Sequence, residues 1–314
     1  MDHMIEKSKQ VAPIFIDQLH KQYRGKKRKI VNALQGISLT VAPGEVFGFL
    51  GPNGAGKSTT IKSLLGLIRP TSGVVELFGQ PAGKAKARVN IGYLPENPAF
   101  YDFLSAREYL SFVGRSFGMS SDEIKSESQR VLSLLDLVEA EKRPIRSYSK
   151  GMVQRLGIAQ TMLHDPDLYI LDEPMSGLDP LGRTLVKDLI LDLKQRGKTV
   201  SFSTHVTADA ERVCDRIGVI IDGILHKEQV VSELLREGVD GYFCRVVSDD
   251  QHLLDQFSAE QCGGGVSEIF VRRDQFDEFS ASLLSSGGSF DLVEPRRRDI
   301  EDYFLALVEK YKGS

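Results

Sequence analysis

The chain has 314 residues and a formal net charge of −3, with 41% hydrophobic and 26% charged residues. This length is enough for about two domains with a buried core each. The slightly acidic balance gives no indication of a nucleic-acid surface. No apolar run reaches the roughly 18–20 residues of a membrane span, so we expect neither a membrane span nor a signal peptide. Three widely spaced cysteines (Cys214, Cys244 and Cys262) predict reduced thiols of a cytosolic chain rather than a disulfide framework or a zinc site.

The first predicted elements are two short strands, Ile14–Ile16 and Ile37–Val41, joined by a hairpin. The tip of the hairpin is the basic run Arg24–Lys29, which we interpret as solvated, with a polyanion-binding patch as the alternative. Tyr23 precedes this run. Taken alone, Tyr23 is typical of a half-exposed aromatic residue in a hairpin.

A phosphate-binding loop is predicted next, because Gly51–Ser58 matches the pattern G-x-x-x-x-G-K-[ST]. Glu45–Leu50 before it has the composition of a buried strand, and Thr59–Ile68 after it has the apolar spacing of a helix. The glycines let backbone N–H groups face a phosphate, and the helix dipole adds positive potential. The candidate nucleotide-binding residues are Gly51, Pro52, Asn53, Gly54, Ala55, Gly56, Lys57, Ser58 and Thr59. In this motif the lysine reaches the β- and γ-phosphates and the Ser58 hydroxyl binds Mg²⁺.

The chain then continues with two strands and a helical region. The predicted strands are Val74–Phe78 and Val89–Leu94, and Pro95–Pro98 follows as an irregular loop that contains Glu96. Residues of about 100–165 have helical spacing. The predicted helices there are Ser105–Phe117, a helix from Ser120 through Val138 with a Ser120/Glu123 capping box, and Met152–Leu163 with Ser149 as N-cap.

Two further strands end in residues that suit phosphate chemistry. Leu168–Leu171 is fully apolar and is followed by Asp172 and Glu173, and Thr199–Ser203 is followed closely by His205. The carboxyl ends of parallel strands are where α/β proteins bind ligands. Asp172 can hold Mg²⁺ through its water shell, Glu173 can deprotonate or orient water, and His205 can donate to a γ-phosphate oxygen. Singly, each has an ordinary role as a helix cap or strand-end residue, but their occurrence together favours a site.

The remaining elements predict a second, smaller domain. Asp222-Gly223 is a strong hairpin signal, and a short helix then ends at Gly238. We predict a first domain of residues 1–238, with a helical subdomain at about 100–165, and an α+β domain of residues 239–314. Its predicted strands are Tyr242–Val247, Ile269–Arg272 and Ser289–Val293, and its predicted helices are Leu253–Glu260, Asp274–Leu284 and Asp299–Lys312.

Together these motifs resemble the nucleotide-binding subunit of an ATP-binding cassette (ABC) transporter, over residues 14 to about 235. Gly51–Ser58 is similar to the Walker A motif of that family, and Leu168–Asp172 with Glu173 to its Walker B motif. The resemblance also makes Ser176–Asp179 the D-loop and His205 the switch histidine. Tyr23 falls where the family stacks an aromatic ring on adenine, so the resemblance favours that role over the plain hairpin aromatic.

Three other segments carry the resemblance with departures from the family pattern. The signature loop, Tyr148–Met152, retains the phosphate-contacting Ser149 and Gly151 of the consensus Leu-Ser-Gly-Gly-Gln but differs at Lys150 and Met152. Glu96 stands where the family has a glutamine, as in some exporter-type members. The pattern at 296–304 resembles the closing helix of an accessory domain in that exporter-type branch.

The resemblance implies an α/β fold: a phosphate-loop NTPase core with an antiparallel β subdomain and a helical subdomain, plus a small α+β C-terminal domain. It implies ATP and Mg²⁺ as ligands, with the metal near Ser58, Asp172 and Glu96. It further implies a head-to-tail dimer in which Ser149 and Gly151 complete the site of the other copy, and in which Glu173 and His205 act in catalysis.

The expected partner is a separate transmembrane permease subunit, which places the chain at the cytoplasmic side of the membrane, with export as the expected direction and no nucleic-acid partner. One alternative is a soluble ABC ATPase acting on ribosomes or DNA, but such proteins usually have two cassettes or a long coiled-coil insert. A second alternative, a regulatory binder without hydrolysis, is disfavoured by the presence of Glu173 and His205.

Overall fold

The computed structural model describes residues 11–24, 30–237, 239–263, 265–297 and 300–312. Contacts divide the chain into two compact units, Met1–Gln229 and Val230–Ser314. The interpretation of residues 239–314 as a separate accessory domain stays a prediction. The tip of the basic hairpin, at 25–29, lies outside the described residues, as do residues 298 and 299 of the C-terminal pattern.

The first unit alternates strands and helices in the order expected for an α/β fold. Its elements in chain order are β1 (Ile14–Arg24), β2 (Ile30–Val41), β3 (Val46–Leu50), α1 (Lys57–Leu64), β4 (Ser72–Leu77), β5 (Gln80–Pro81), β6 (Ile91–Leu94), α2 (Ala106–Ser116), α3 (Ser121–Leu134), α4 (Lys150–Met162), β7 (Leu168–Asp172), α5 (Pro180–Gln195), β8 (Thr199–Thr204), α6 (Thr207–Val213), β9 (Arg216–Ile221) and β10 (Ile224–Val230).

These strands form two sheets that share one hydrophobic core. The smaller sheet has the order β2-β1-β4-β5, and β1 pairs antiparallel with both β2 and β4. The larger sheet has the order β10-β9-β3-β8-β7-β6. Apolar side chains of both sheets and of α1 form one buried cluster that includes Ile16, Leu39, Phe49, Ile61 and Ile170. The antiparallel β subdomain and the phosphate-loop core therefore pack as one layered structure.

The register of the larger sheet brings four strand ends to one edge. β3, β7 and β8 are parallel to their neighbours, as are β6 and β7. Leu50 pairs with Thr204, Leu94 pairs with Leu171, and Asp172 pairs with Ser203. The strands β3, β7 and β8 are buried along their whole length, as is typical of parallel strands covered on both faces. The residues that directly follow β3, β6, β7 and β8 therefore lie at the same edge of the sheet.

Helix caps set the limits of the helical region. The predicted capping box between Ser120 and Glu123 is confirmed, and α2 begins with a second one, between Ser105 and Glu108. The Ser149 side chain accepts a hydrogen bond from the Met152 N–H and caps α4 as predicted. The prediction that α3 reaches Val138 is wrong. The helix ends at Leu134 because Asp136 has a left-handed backbone, with φ of +52°.

The second unit has a four-stranded antiparallel sheet and four α-helices among its described residues. Its elements are α7 (Val231–Glu237), β11 (Val239–Val247), α8 (Gln251–Gln256), β12 (Glu260–Gly263), β13 (Val266–Arg272), α9 (Phe276–Ser285), β14 (Ser289–Arg297) and α10 (Ile300–Lys312). The strand order is β12-β13-β11-β14. A core that includes Val246, Leu253 and Phe279 joins the sheet to α8 and α9.

Two secondary-structure predictions in the second unit are corrected. The predicted helix Leu253–Glu260 stops at Gln256, because Ser258 has a left-handed backbone with φ of +53°. Glu260 instead opens β12 (sequence Glu-Gln-Cys-Gly), an edge strand that was not predicted because it has no apolar alternation. The α+β character of this unit is nevertheless as predicted. None of the described helices is long and apolar enough to cross a bilayer.

Candidate functional site

A cavity of about 280 Å³ lies at the common edge of the strands, over the phosphate loop. The loop leaves β3 after Leu50 and enters α1 at Lys57, so it is fixed between a buried strand and a helix. The cavity is lined by Ala33, Pro52, Asn53, Gly54, Ala55, Gly56, Lys57, Ser58, Thr59, Glu96 and Glu173. The structure thus brings Glu96 and Glu173 to the predicted loop, and it adds Ala33 of β2, which the sequence did not indicate.

Gly56 is the residue at which the loop becomes a helix. Its φ is +112°, and a Cβ atom there would lie 2.9 Å from the Ala33 carbonyl oxygen and 2.8 Å from a Leu34 methyl group. Only glycine combines this backbone with so close a contact. Because Gly56 is the N-cap of α1 and offers no side chain, no cap competes for the first N–H groups of the helix. These groups remain available to an anion.

Lys57 is a buried cation, with only 6% of its surface exposed. Its Nζ donates to the Gly51 carbonyl oxygen at 2.6 Å and lies 3.5 Å from Glu173 Oε1. At this separation, and with an effective dielectric near 20, the charge pair is worth about 5 kcal/mol before desolvation. The loop carbonyl therefore orients the ammonium group, and the carboxylate compensates its charge.

Asp172 lies next to the phosphate loop and accepts hydrogen bonds from two hydroxyl groups. Its Oδ1 accepts from Ser203 Oγ at 2.6 Å and from Ser58 Oγ at 3.3 Å. The Asp172 residue is 2% exposed, so water screens its negative charge only weakly from neighbouring groups. The pKa of Tyr93, on β6, is raised first by its own burial and then by the Asp172 charge. Ser58 and Asp172 thus form an oxygen-donor pair next to the phosphate loop.

Glu173 has the most constrained environment of the acidic residues at this edge. Its backbone is left-handed, with φ of +50°, which is uncommon outside glycine, asparagine and aspartate. Its N–H donates to Ser203 Oγ at 2.9 Å, and its Oε2 lies 3.0 Å from Nδ1 of His205. With the Lys57 contact, the carboxylate lies between a lysine and an imidazole. A carboxylate that is fixed in this way can accept a proton as a general base.

Three other predicted residues lie apart from the cavity. Tyr23 is 39% exposed, its ring centroid is 5.0 Å from Lys21 Nζ, and it is not part of the cavity lining within the described chain. Ser149 and Gly151, at the N-terminus of α4, are likewise absent from that lining. Gly151 contacts the D-loop instead, where a Cβ would lie 3.7 Å from the Gly177 carbonyl oxygen. Their assignment to nucleotide binding stays a prediction.

Sequence reasoning missed two polar residues that organise the site. Ser203 joins Asp172 and Glu173 through its hydroxyl group, and it is fully buried. Gln154 donates its side-chain amide to the carbonyl oxygens of Glu173 and Pro174, both at 3.2 Å. Ser203 could have been found from the sequence, because a serine at the end of a buried strand needs a hydrogen-bond partner. For Gln154 the sequence offered no signal, because the apolar spacing of the predicted helix Met152–Leu163 does not include position 154.

This arrangement defines the class of the protein. A glycine loop before a helix, a buried lysine, a hydroxyl–carboxylate pair and a held carboxylate base are the parts of a phosphate-loop NTPase. The family profile described as ABC transporter matches residues 34–176.

The relatives extend the match to most of the chain. An uncharacterized ABC transporter ATP-binding protein of Synechocystis is 40% identical over 89% of this chain and 79% of its own length. The Nod factor export ATP-binding protein I of Burkholderia lata is 37% identical over 95% of this chain and 97% of its own. The chain belongs to the ABC transporter family as one of its ATP-binding subunits, and it is an ATPase.

A solved structure supports the same assignment for the fold. A bacterial ABC transporter cassette, described as dimeric, is 25% identical, with a TM-score of 0.65, and the match covers 69% of this chain and 98% of that cassette. The α/β fold predicted from the sequence is therefore confirmed for the cassette part of the chain.

Proposed function

We propose that this chain hydrolyses ATP in the cavity over Gly51–Thr59 and so powers export through a separate membrane subunit. The observation that carries the proposal is the position of Glu173, whose carboxylate lies 3.5 Å from Lys57 and 3.0 Å from His205 beside the phosphate loop. A base held there can accept a proton from water that attacks a γ-phosphate. Lys57 would lie against the phosphate oxygens and stabilise the charge that develops on them.

His205 would act through both of its ring nitrogens. Nδ1 lies 3.0 Å from the Glu173 carboxylate, and the ring is about half exposed, which leaves Nε2 for a phosphate oxygen. Only the protonated ring donates at both nitrogens. Donation from Nδ1 would orient the Glu173 carboxylate, and donation from Nε2 would bind a phosphate oxygen.

The donor set around Ser58 suits Mg²⁺. Ser58 Oγ and Asp172 Oδ1 are 3.3 Å apart, and both are oxygen ligands of the kind Mg²⁺ prefers. Among the described residues, no group of three or more histidine, cysteine or acidic residues could hold a metal by itself. That fits an ion that takes its other ligands from phosphates and water. When bound, Mg²⁺ neutralises charge on the β- and γ-phosphates.

A second copy of the chain would complete the site. Ser149 and Gly151 lie outside the cavity, yet no close contact among the described residues requires a glycine at 151, where the nearest atom to a Cβ would be 3.6 Å away. The N-terminus of α4 also offers N–H groups to an anion. The likeness to a cassette described as dimeric supports the pairing of two copies, and in the proposed pairing this helix faces the ATP of the other copy.

The membrane subunit would dock on the surface that follows Glu96. Tyr101, Phe103 and Phe112 are each more than half exposed, and the Tyr101 ring lies 5.9 Å from the Phe112 ring. Clustered exposed aromatics mark an interaction surface. The likeness to a Nod factor export protein favours export over import. In vesicles with the membrane subunit, cargo that moves toward the side carrying this chain would contradict this direction.

A dilution series of the purified chain tests the two-copy site. Because each active site needs residues of both copies, we expect the ATP hydrolysis rate per chain to fall up to tenfold on tenfold dilution below the dimerisation constant. Light scattering at each concentration reports the oligomeric state. A rate per chain that stays constant in a monomeric sample would show that one copy is sufficient.

Glu96 is expected to make ATP binding more dependent on Mg²⁺ than a glutamine would. It lines the cavity with Glu173, and a carboxylate attracts the metal but repels the γ-phosphate. At about 4 Å each effect is on the order of 4 kcal/mol with an effective dielectric near 20, so the two nearly cancel. The Glu96→Gln variant should therefore bind ATP equally well or better without metal, with a smaller gain on adding Mg²⁺. Superimposable binding curves across a Mg²⁺ series would mean that Glu96 does not face the metal.

A further inference from the structure

Gln154 is a buried polar residue to which the proposed reaction assigns no role. It lies on α4, is 4% exposed, and its Nε2 donates to the carbonyl oxygens of Glu173 and Pro174, both at 3.2 Å. A buried side-chain amide is costly to desolvate unless it is paired. Both contacts are to the backbone of the turn that follows β7 and carries the proposed base, so one side chain connects α4 to that turn.

The backbone at Glu173 needs such support. A φ of +50° is unfavourable for a glutamate, and strained residues of this kind persist only where the surroundings hold them. The Glu173 N–H donates to Ser203 Oγ at 2.9 Å, and its carbonyl oxygen accepts from Gln154 Nε2 at 3.2 Å and from the Ser176 N–H at 3.1 Å. The peptide groups on both sides of Glu173 are therefore fixed. A relaxed φ would turn the side chain away from Lys57 and His205.

We infer that Gln154 is a positioning residue, which keeps Glu173 in its left-handed backbone conformation and so aims the carboxylate. This inference rests on the proposed role of Glu173 as the base. Ser149 caps the same helix five residues earlier, about 7.5 Å along the axis at 1.5 Å per residue. A movement of α4 when its N-terminus meets a phosphate would reach Glu173 through Gln154. The contact thus links the signature segment to the base of the same chain.

The Gln154→Met variant removes both donors while keeping the length and helix propensity of the side chain. We expect the maximal rate of ATP hydrolysis to fall roughly 10- to 100-fold, since small misplacements of a catalytic group have effects of this size. ATP affinity should stay within about twofold, because Gln154 does not line the cavity. Gln154→Glu, whose carboxylate only accepts and would face two carbonyl oxygens, should lose at least as much.

Gln160→Met is the matched control on the same helix. Gln160 is half-buried and accepts a hydrogen bond from Tyr109 at 2.6 Å, without any recorded contact to Glu173. This variant should keep the parent hydrolysis rate, and thermal unfolding of all variants shows whether folding is intact.

The deciding measurement repeats Gln154→Met in the Glu173→Gln background, under single-turnover conditions. If Gln154 acts through the Glu173 carboxylate, Gln154→Met should hardly change the hydrolysis rate of the Glu173→Gln variant. If Gln154 acts independently, Gln154→Met should lower that rate by the same factor as in the parent chain. Equal losses in both backgrounds, or an unchanged rate in the parent background, would overturn the inference. A Glu173→Gln variant that keeps the parent rate would instead overturn the proposed function.

Discussion

The Glu173→Gln variant is expected to hydrolyse ATP roughly 10²–10⁴ times more slowly than the parent chain, which is the contribution typical of a general base. Glutamine keeps the size of the side chain, so the contacts of the Glu173 backbone with Ser203 and Gln154 are retained. What is lost is the group that accepts the proton. The measurement is the steady-state release of phosphate at saturating ATP.

The same variant should bind ATP at least as tightly as the parent. Lys57 is 6% exposed, and its nearest carboxylate is Glu173 Oε1 at 3.5 Å. Neutralising that partner leaves the lysine charge free for phosphate oxygens and removes a repulsion between carboxylate and phosphate. With hydrolysis blocked and binding retained, ATP should accumulate in a stable dimer, detectable by light scattering.

Glu278→Gln, an exposed position on α9, is the control for loss of one negative charge. It should leave both turnover and dimerisation as in the parent. If instead Glu173→Gln turned over ATP at the parent rate, the proton acceptor would have to be another group, and the proposed assignment of this site would fail.

The Gly151→Asp variant should lose hydrolysis by roughly 10²–10³-fold while each chain still binds ATP at its own loop. An Asp carboxylate at the N-terminus of α4 would face the γ-phosphate of the other copy, and at about 4 Å the repulsion is on the order of 4 kcal/mol with an effective dielectric near 20. Among the described residues, the Cβ atom of the new side chain meets no close atom, the nearest being a Leu178 methyl group at 3.6 Å. An acidic residue in the first turn of a helix is also favourable for stability.

Mixing experiments separate this effect from simple damage. A Lys57→Ala chain has a defective loop but an intact signature, whereas Gly151→Asp has the opposite defect. Mixed dimers contain one site with both parts intact, so the mixture should recover hydrolysis that neither variant has alone. Gly83→Asp, at a turn with open space around it, is the control and should behave as the parent. No recovery on mixing would contradict a site shared between copies.

The sequence by itself determined the parts of the site that depend on local patterns. The loop Gly51–Ser58, the acidic pair after β7 and the Ser120 and Ser149 caps were all predicted, because each depends on neighbours within a few residues. The same reasoning gave the α/β class, since strand and helix periods alternate along the chain. Turn residues in the left-handed region outside glycine, such as Asp136 and Ser258, were not indicated, and they moved the ends of α3 and α8.

Only the tertiary structure decided how these parts meet. The Ser203 hydroxyl lies 31 residues from Asp172 in sequence and 2.6 Å away in space, and Gln154 reaches Glu173 across 19 residues. Such contacts depend on the register of parallel strands and on how α4 packs, and no local pattern contains either. The left-handed backbone of Glu173 is another feature that no local sequence pattern predicts. Its peptide groups are hydrogen-bonded on both sides by Ser203 and Gln154, from two other elements, and by the Ser176 N–H of its own turn.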